Sequence, residues 1–178
     1  MRQISELTLF IYKRDLKEIL LIIISAVVIW VIAGLLSSKK VWLARIWKIL
    51  NHIVFIIIFI AILYLTIFSR SKIDELEVCL IPFYSFYLAK ENSELYRTML
   101  MNIFLFVPLG LSLPNVFAGH KNSVCRAVLL IIVLSVVIEL VQFLFQLGRA
   151  EIDDVLCNLL GGIIGAGAYI FSKKLLND

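Results

Sequence analysis

Residues 127–147 read AVLLIIVLSVVIELVQFLFQL, an apolar run in which Glu139 is the only charged side chain. A helix needs about 20 such residues to cross a bilayer, because lipid offers the backbone no hydrogen-bonding partner. Four further apolar runs occur in the chain, at 19–36, 53–68, 99–118 and 155–172. The sequence therefore predicts an all-α integral membrane bundle of about five transmembrane helices, with the quoted run as the fourth.

The composition of the chain supports this interpretation. Of its 178 residues 62% are hydrophobic and 17% are charged, whereas soluble domains have roughly 25% charged residues. Five spans and short loops use nearly all of the chain, so we predict a single membrane domain over residues 1–178. The formal charge of +4 comes mainly from Lys and Arg between apolar runs. That placement is typical of membrane-flanking residues, and we expect no nucleic-acid partner.

The segments between the spans also carry information. The linker SSKKVWLARIWKILNH at 37–52 interleaves Trp with basic residues and predicts an interfacial amphipathic turn. Residues 69–98 form the longest polar stretch and contain the aromatic segment CLIPFYSFYLA, at 79–89. That segment is too short to span, so we predict a re-entrant or interface-lying aromatic loop between spans two and three. Residues 1–18 predict a helix along the interface.

Polar residues of the last three spans are predicted to gather near one membrane face. Successive helices alternate in direction, so the start of the third span, the end of the fourth and the start of the fifth share one side. The side chains brought together in this way are Asn102, Gln142, Gln146, Arg149, Asp153, Asp154 and Asn158. In the termini and shorter connections, this side has 5 Lys and Arg residues and the other side has 8. The difference weakly favours placing the polar connectors outside.

The fourth span carries its own polar stripe. Ser135, Glu139, Gln142 and Gln146 are spaced i, i+4, i+7 and i+11, so they share a face that must contact protein. On a straight helix Glu139 lies about 15 Å below Arg149, at 1.5 Å per residue. A carboxylate at such depth costs on the order of 2.5 to 3.5 kcal/mol and indicates a functional site. The alternative is that Glu139 only joins helices, through contacts of roughly 0.6 kcal/mol each.

Prolines and glycines suggest how the third and fifth spans pack. Pro108 and Gly110 predict a kinked or interrupted third span, which could open a polar seam beside Asn102 or leave that residue as a helix cap. In the fifth span, Gly161 and Gly165 form a GxxxG pattern that permits close approach of a neighbouring helix. We therefore assign structural roles to Pro108, Gly110, Gly161 and Gly165.

The charged connector before the fifth span has two interpretations. Arg149, Asp153 and Asp154 could bind the polar part of a ligand, or they could be solvated charges that cap the fifth helix and offset its dipole. The chain contains no HExxH and no glycine-rich phosphate loop, and neither His52 nor His120 has a companion at ligand spacing. We expect neither a metal nor a cofactor.

Three motifs, taken together, resemble those of the VanZ-like family. They are N-I-F-L-F-V-P-L-G at 102–110, S-x-x-x-E-x-x-Q at 135–142 and R-x-x-x-D-D-x-x-x-N-x-x-G at 149–161. Their order and spacing both match, and the resemblance covers a core at 100–168. It extends to Pro82 and Phe83, where the family usually has an Asn-Pro-Phe-like motif and Ile81 replaces the polar residue.

The resemblance implies a multi-pass protein of the bacterial cytoplasmic membrane that contributes to resistance against lipid-tailed glycopeptides of the teicoplanin type. We predict a polar-lined intramembrane site that engages a lipid-tailed ligand, either a lipopeptide or lipoglycopeptide antibiotic or a lipid-linked envelope precursor, among membrane lipids. Polar groups in an apolar pocket fit that purpose. The residues assigned to this site are Asn102, Ser135, Glu139, Gln142, Arg149, Asp153, Asp154 and Asn158.

The alternative is a membrane-embedded enzyme that acts on a lipid-linked envelope substrate. Glu139 would then be the candidate catalytic residue, as a general acid or base, and Arg149 would hold a phosphate or carboxylate. Transport ranks last, because transporters usually contain internal repeats and the sequence has no evident one. The sequence leaves the oligomeric state open.

Overall fold

The computed structural model describes residues 16–37, 41–70, 72–73, 77–90 and 92–177. The interface helix predicted at 1–18 lies almost wholly outside these residues. The described elements are helix α1 (Leu16–Ser37), helix α2 (Val41–Leu63) with a π-helical continuation (Tyr64–Phe68), strand β1 (Val78–Cys79), helices α3 (Tyr84–Leu88), α4 (Ser93–Val116) and α5 (Ser123–Leu144), strand β2 (Ala150–Glu151) and helix α6 (Ile152–Asn177).

Within the described residues, four helical segments are long and apolar enough to cross a membrane. They are Trp42–Phe68, Glu94–Val116, Ser123–Leu144 and Ile152–Leu175. Helix α1 has 22 residues and contains a shorter apolar stretch, Ile24–Gly34. At 1.5 Å per residue its full length is about 33 Å, comparable to the hydrocarbon core of a bilayer. The predicted all-α membrane bundle is confirmed, and the chain is a multi-pass membrane protein.

The second span begins earlier than predicted. Helix α2 starts at Val41, so the interfacial turn predicted at 37–52 is wrong for the part that the structure describes. No glycine or proline interrupts residues 41–52, and nothing in that stretch stops a helix from continuing. Trp47 therefore lies on the spanning helix, with its ring centroid 5.2 Å from that of Trp30 on α1.

Helix α4 runs through Pro108 and Pro114 without a break, so Pro108 does not interrupt the third span. The backbone of α4 contacts that of α6 at glycines. A Cβ atom on Gly161 would lie 2.0 Å from the carbonyl oxygen of Ile103, and one on Gly110 would lie 2.1 Å from that of Gly162. Any side chain at these positions would push the two helices apart.

The core lies between α2, α4 and α5. Its fully buried apolar side chains are Ile62, Phe106, Leu109, Leu113, Ala127, Ile131 and Ile138. Large apolar side chains on the outer faces are exposed, among them Ile29 on α1 and Ile57 on α2. Such faces are what lipid contact requires.

The order of the helices defines two ends of the bundle. The α2–α4 segment, the α5–α6 connector and the start of α1 share one end, which we call the connector side. The α1–α2 junction, the α4–α5 turn and the end of α6 share the other, which we call the basic side. Described basic residues on the basic side are Arg45, Lys48, Lys121, Arg126, Lys173 and Lys174.

Candidate functional site

Helix α5 ends in a turn that reverses the chain. Gln146 has φ +56°, and Leu147 N–H donates to the carbonyl oxygen of Gln142 at 2.8 Å. Gln146 N–H donates to Phe143 at 3.2 Å, which completes a Schellman motif. The helix therefore ends at Leu144, before the predicted end at Leu147. The prediction that Gln146 continues the polar stripe is wrong.

The reversal brings the connector down onto Glu139. Glu151 N–H donates to Glu139 Oε2 at 3.0 Å, and Glu139 is only 8% exposed. Arg149 lies two residues earlier in the same connector, and its Nε is 3.1 Å from Glu151 Oε1. The predicted separation of about 15 Å between Glu139 and Arg149 is wrong, because it assumed that the helix continued upward.

Asp153 anchors the aromatic segment. Its Oδ1 accepts from Phe83 N–H at 2.6 Å, its Oδ2 accepts from Ser85 N–H at 2.8 Å, and it is 1% exposed. The Ser85 hydroxyl donates to Glu151 Oε2. Phe83 has φ +64°, a rare conformation that these bonds stabilise. Asp153 thus holds α3 against the start of α6, and a direct contact with a ligand would require these bonds to break.

A short parallel strand pair fixes the same two segments. Val78 of β1 pairs with Ala150 of β2, and Cys79 pairs with Glu151. Two further backbone bonds flank the pair: Ile73 N–H donates to Gln146 at 2.8 Å, and Ala150 N–H donates to Glu77 at 3.1 Å. The α2–α4 segment and the α5–α6 connector are therefore one hydrogen-bonded unit.

Two arginines lie at the edge of this unit. Arg70 Nη2 is 3.7 Å from Asp154 Oδ2, and the Asn102 side chain lies close to the same carboxylate. The guanidinium carbon of Arg149 lies 5.9 Å from the ring centroid of Tyr84, within the range of cation–π attraction. The side chains of Arg70 and Arg149 are 26% and 30% exposed, whereas their carboxylate partners are 9% and 15% exposed. The arginines are the accessible part of the cluster.

Deeper polar residues join helices. Gln142 Nε2 donates to the carbonyl oxygen of Thr66 at 2.8 Å, and Asn158 Nδ2 donates to Ser135 Oγ at 2.9 Å. Thr66 lies in the π-helical turn, where Ser69 N–H donates to Tyr64 five residues earlier. Such turns occur often at functional sites.

Two buried acceptor atoms lack a partner within the part of the chain that the structure describes. They are Gln142 Oε1 and Asn158 Oδ1. Buried polar atoms of this kind are rare in folded proteins, and a water molecule or a donor group of a ligand can satisfy them.

We call Arg70, Glu139, Arg149, Glu151, Asp153 and Asp154 the polar cluster. The structure places Asn102, Glu139, Arg149, Asp153 and Asp154 in or beside it. Gln142, Ser135 and Asn158 instead make separate interhelical contacts. In the described ranges no group of three or more His, Cys, Asp or Glu side chains has the arrangement of a metal site.

Sequence reasoning did not single out Arg70, Thr66, Ser85 and Glu151. Arg70 could have been found, since it is the first charged residue after the second span and that span ends on the connector side. Glu151 stands in the connector sequence GRAEIDD. Its role depends on the chain reversal at Gln146, for which the sequence gives only a weak signal.

Comparison with known proteins identifies the family. A sequence profile of the VanZ/LLP1 family matches residues 53–173, more than half of the chain. The chain belongs to the VanZ/LLP1 family. A curated relative, Protein VanZ of Enterococcus faecium, is 34% identical over 83 residues, which are 47% of this chain and 50% of the relative. The alignment therefore spans about half the length of that relative.

The resemblance inferred from three motifs is thus confirmed. The family profile matches this VanZ-like protein from residue 53, well before the predicted core at 100–168. The match includes Arg70, Thr66 and the aromatic segment. No solved structure matches the chain.

Proposed function

We propose that this VanZ-like protein binds a lipid-tailed molecule at the polar cluster, in the bacterial cytoplasmic membrane, and thereby contributes to resistance against teicoplanin-type antibiotics. The observation that carries the proposal is the position of Arg70 and Arg149. Both are partly exposed at the edge of a buried carboxylate cluster, beside an aromatic segment that is fixed to the start of α6. They are the groups that an approaching polar head would meet first.

The two arginines are held loosely enough to exchange partners. The 3.7 Å between Arg70 and Asp154 exceeds a hydrogen-bond distance, and Arg149 Nε faces Glu151 without an aligned hydrogen bond. A guanidinium binds carboxylate or phosphate in a bidentate fashion. A ligand with a carboxylate or phosphate could form this bidentate contact with a guanidinium, which the carboxylates of Asp154 and Glu151 do not form.

An apolar groove can receive the tail. It lies between α2, α4 and α5, has a volume of about 190 Å³ and is lined only by apolar side chains, including Phe55, Phe59 and Val137. Val137 lies two residues before Glu139 of the polar cluster, which is about 3 Å along α5 at 1.5 Å per residue. A molecule with its head at the arginines could therefore place its chain in this groove.

The test is antibiotic susceptibility. We would express the wild type, Glu139→Gln, Arg149→Gln and Glu77→Gln in a sensitive Gram-positive host, with membrane levels matched by immunoblot. Glu77 is the matched control, because it has the same chemistry on the same membrane side but an exposed side chain. We expect wild type and Glu77→Gln to protect against teicoplanin but not vancomycin, and the other two variants to lose protection. A wild type that gives no protection would overturn the resistance role.

An enzyme acting on a lipid-linked envelope substrate is the second candidate. It is favoured by Glu139, whose carboxylate lies directly below the connector that carries Arg149. Incubation of the purified protein with lipid-linked substrates separates the two: turnover that is lost in Glu139→Gln supports catalysis. Saturable stoichiometric binding without product supports the binding function.

A further inference from the structure

A second pocket lies at the opposite end of the bundle from the polar cluster. It is formed by α1, α2, α4 and α6 on the basic side and has a volume of about 220 Å³. Its lining includes Trp30 and Trp47, whose rings contact each other, together with the nearly buried Tyr169 and the lysines Lys48 and Lys173. The pocket is thus aromatic in its walls and cationic at its edge.

Buried amides fix two residues that line this pocket, Trp47 and Asn115. Asn51 is 1% exposed, and its Nδ2 donates to the carbonyl oxygen of Trp47 at 2.8 Å. Its Oδ1 accepts from Asn115 Nδ2 at 3.4 Å, which joins α2 to α4. The indole of Trp47 is therefore held on a helix turn that is tied to a neighbouring helix.

Among the described residues at this end of the bundle, the charged side chains are all basic. Lys48 and Lys173 are exposed, and Lys173 Nζ lies 6.0 Å from the Tyr169 ring centroid. The described stretches that form this end, 26–37, 41–52, 115–126 and 169–177, contain no aspartate or glutamate. Within the described part of the chain neither ammonium group has a carboxylate partner, so both can pair with an external anion at the level of the membrane interface.

We propose that this pocket binds the phosphate headgroup of an anionic phospholipid. Lys48 and Lys173 pair with the phosphate, and Trp30 and Trp47 pack on the glycerol and the first carbons of the chains. Indole rings favour the headgroup level of a bilayer, and basic pockets between transmembrane helices suit anionic headgroups. The volume is below the range of about 300 to 1,000 Å³ usual for drug-sized ligands, so it fits a headgroup and not a whole lipid.

The experiment compares lipids on the purified full-length protein in detergent micelles. Native mass spectrometry measures the dissociation constant of the first bound lipid, for dioleoylphosphatidylglycerol and for dioleoylphosphatidylcholine. Since each lysine near a membrane surface contributes appreciably to the binding of anionic lipid, we expect phosphatidylglycerol to bind roughly tenfold more tightly or better. Glycerol 3-phosphate serves as a water-soluble competitor with the same phosphate chemistry.

Variants locate the effect. We expect Lys48→Gln/Lys173→Gln to lose most of the preference, and Lys48→Arg/Lys173→Arg to retain it. The matched control is Arg45→Gln/Lys174→Gln, which removes the same charge from the same membrane side but leaves the pocket lining unchanged. It should retain the preference as well.

Three results would overturn the proposal. Equal binding of the two lipids by the wild type excludes a headgroup site. Equal losses in the pocket variant and the control show that diffuse surface charge is responsible. If glycerol 3-phosphate displaces the lipid at the same concentrations at which the lipid binds, the site recognises soluble phosphate compounds and not a lipid. The first and third comparisons use only the wild type, so they decide the proposal even if a substitution prevents folding.

Discussion

We predict that glycine-to-alanine substitution in α6 lowers the stability of the protein at Gly161, which contacts α4, but not at Gly167. In Gly161→Ala the new Cβ atom would lie 2.0 Å from the carbonyl oxygen of Ile103, whereas in Gly167→Ala it would meet no atom within 4 Å. Cβ atoms essentially never approach other atoms more closely than 3.0 Å. Helix α6 must therefore move away from α4 by about 1 Å in the first variant and need not move in the second.

The comparison between the two variants isolates the steric cost. Alanine in place of glycine favours a helix interior by about 1 kcal/mol, and this gain applies to both. Overpacking a tight contact costs about 1 to 3 kcal/mol, and this cost applies only to Gly161→Ala. We therefore expect the free energies of unfolding of the two variants to differ by the overpacking cost, about 1 to 3 kcal/mol. For a chain of this size the difference corresponds to roughly 2 to 12 °C in the unfolding midpoint.

The assay is thermal unfolding of both variants in the same detergent, followed by fluorescence-detected size-exclusion chromatography. Gly161→Ala should unfold at the lower temperature, and Gly167→Ala at or above that of the wild type. The contact also matters for the site, since Ile103 is adjacent to Asn102, which lies beside Asp154. Equal midpoints for the two variants would refute the backbone contact between the helices.

Two further predictions concern buried hydrogen bonds. Asp153→Ala removes the acceptor of the Phe83 and Ser85 amides, and an unsatisfied buried group costs about 1 to 3 kcal/mol, so we expect their hydrogen exchange to accelerate roughly tenfold or more. Mass spectrometry of the 79–89 peptide measures it, and unchanged exchange would show that Asp153 does not hold α3. A double-mutant cycle of Asn158→Ala and Ser135→Ala should give a coupling of about 0.6 kcal/mol, with about 1.7 as the upper limit for such bonds. The coupling is measured by thermal unfolding, and a value near zero would show that the bond between Asn158 and Ser135 does not stabilise the protein.

The alternation of helix direction accounts for most of what the sequence could predict. It needs only the number of spans, and it places Asn102 near Asp154 although 51 positions separate them. The same argument places the aromatic segment at the same end of the bundle as the start of α6, and in the structure Asp153 contacts it there. Hydrophobic runs and their order thus give the fold class and the end of the bundle where polar groups meet.

The end of α5 could not be predicted from hydropathy. Residues 144–147 read LFQL, which is still mostly apolar, so the run extends past the point where the helix stops. The turn depends on φ +56° at Gln146, a conformation that glutamine adopts rarely. The predicted separation between Glu139 and Arg149 was wrong for this reason. Likewise, the pairing of Val78 with Ala150 depends on tertiary structure and has no local signal.

The parallel pairing of β1 with β2 constrains the order in which parts of the protein can fold during synthesis. Membrane proteins emerge from the ribosome N-terminal end first. When the aromatic segment leaves the ribosome, its partner Asp153, which lies 70 positions after Phe83, has not yet emerged. The aromatic segment can therefore take its final position only after the ribosome has delivered the start of α6. The ligand binding that we propose on the connector side would therefore begin only after the last helix is in place.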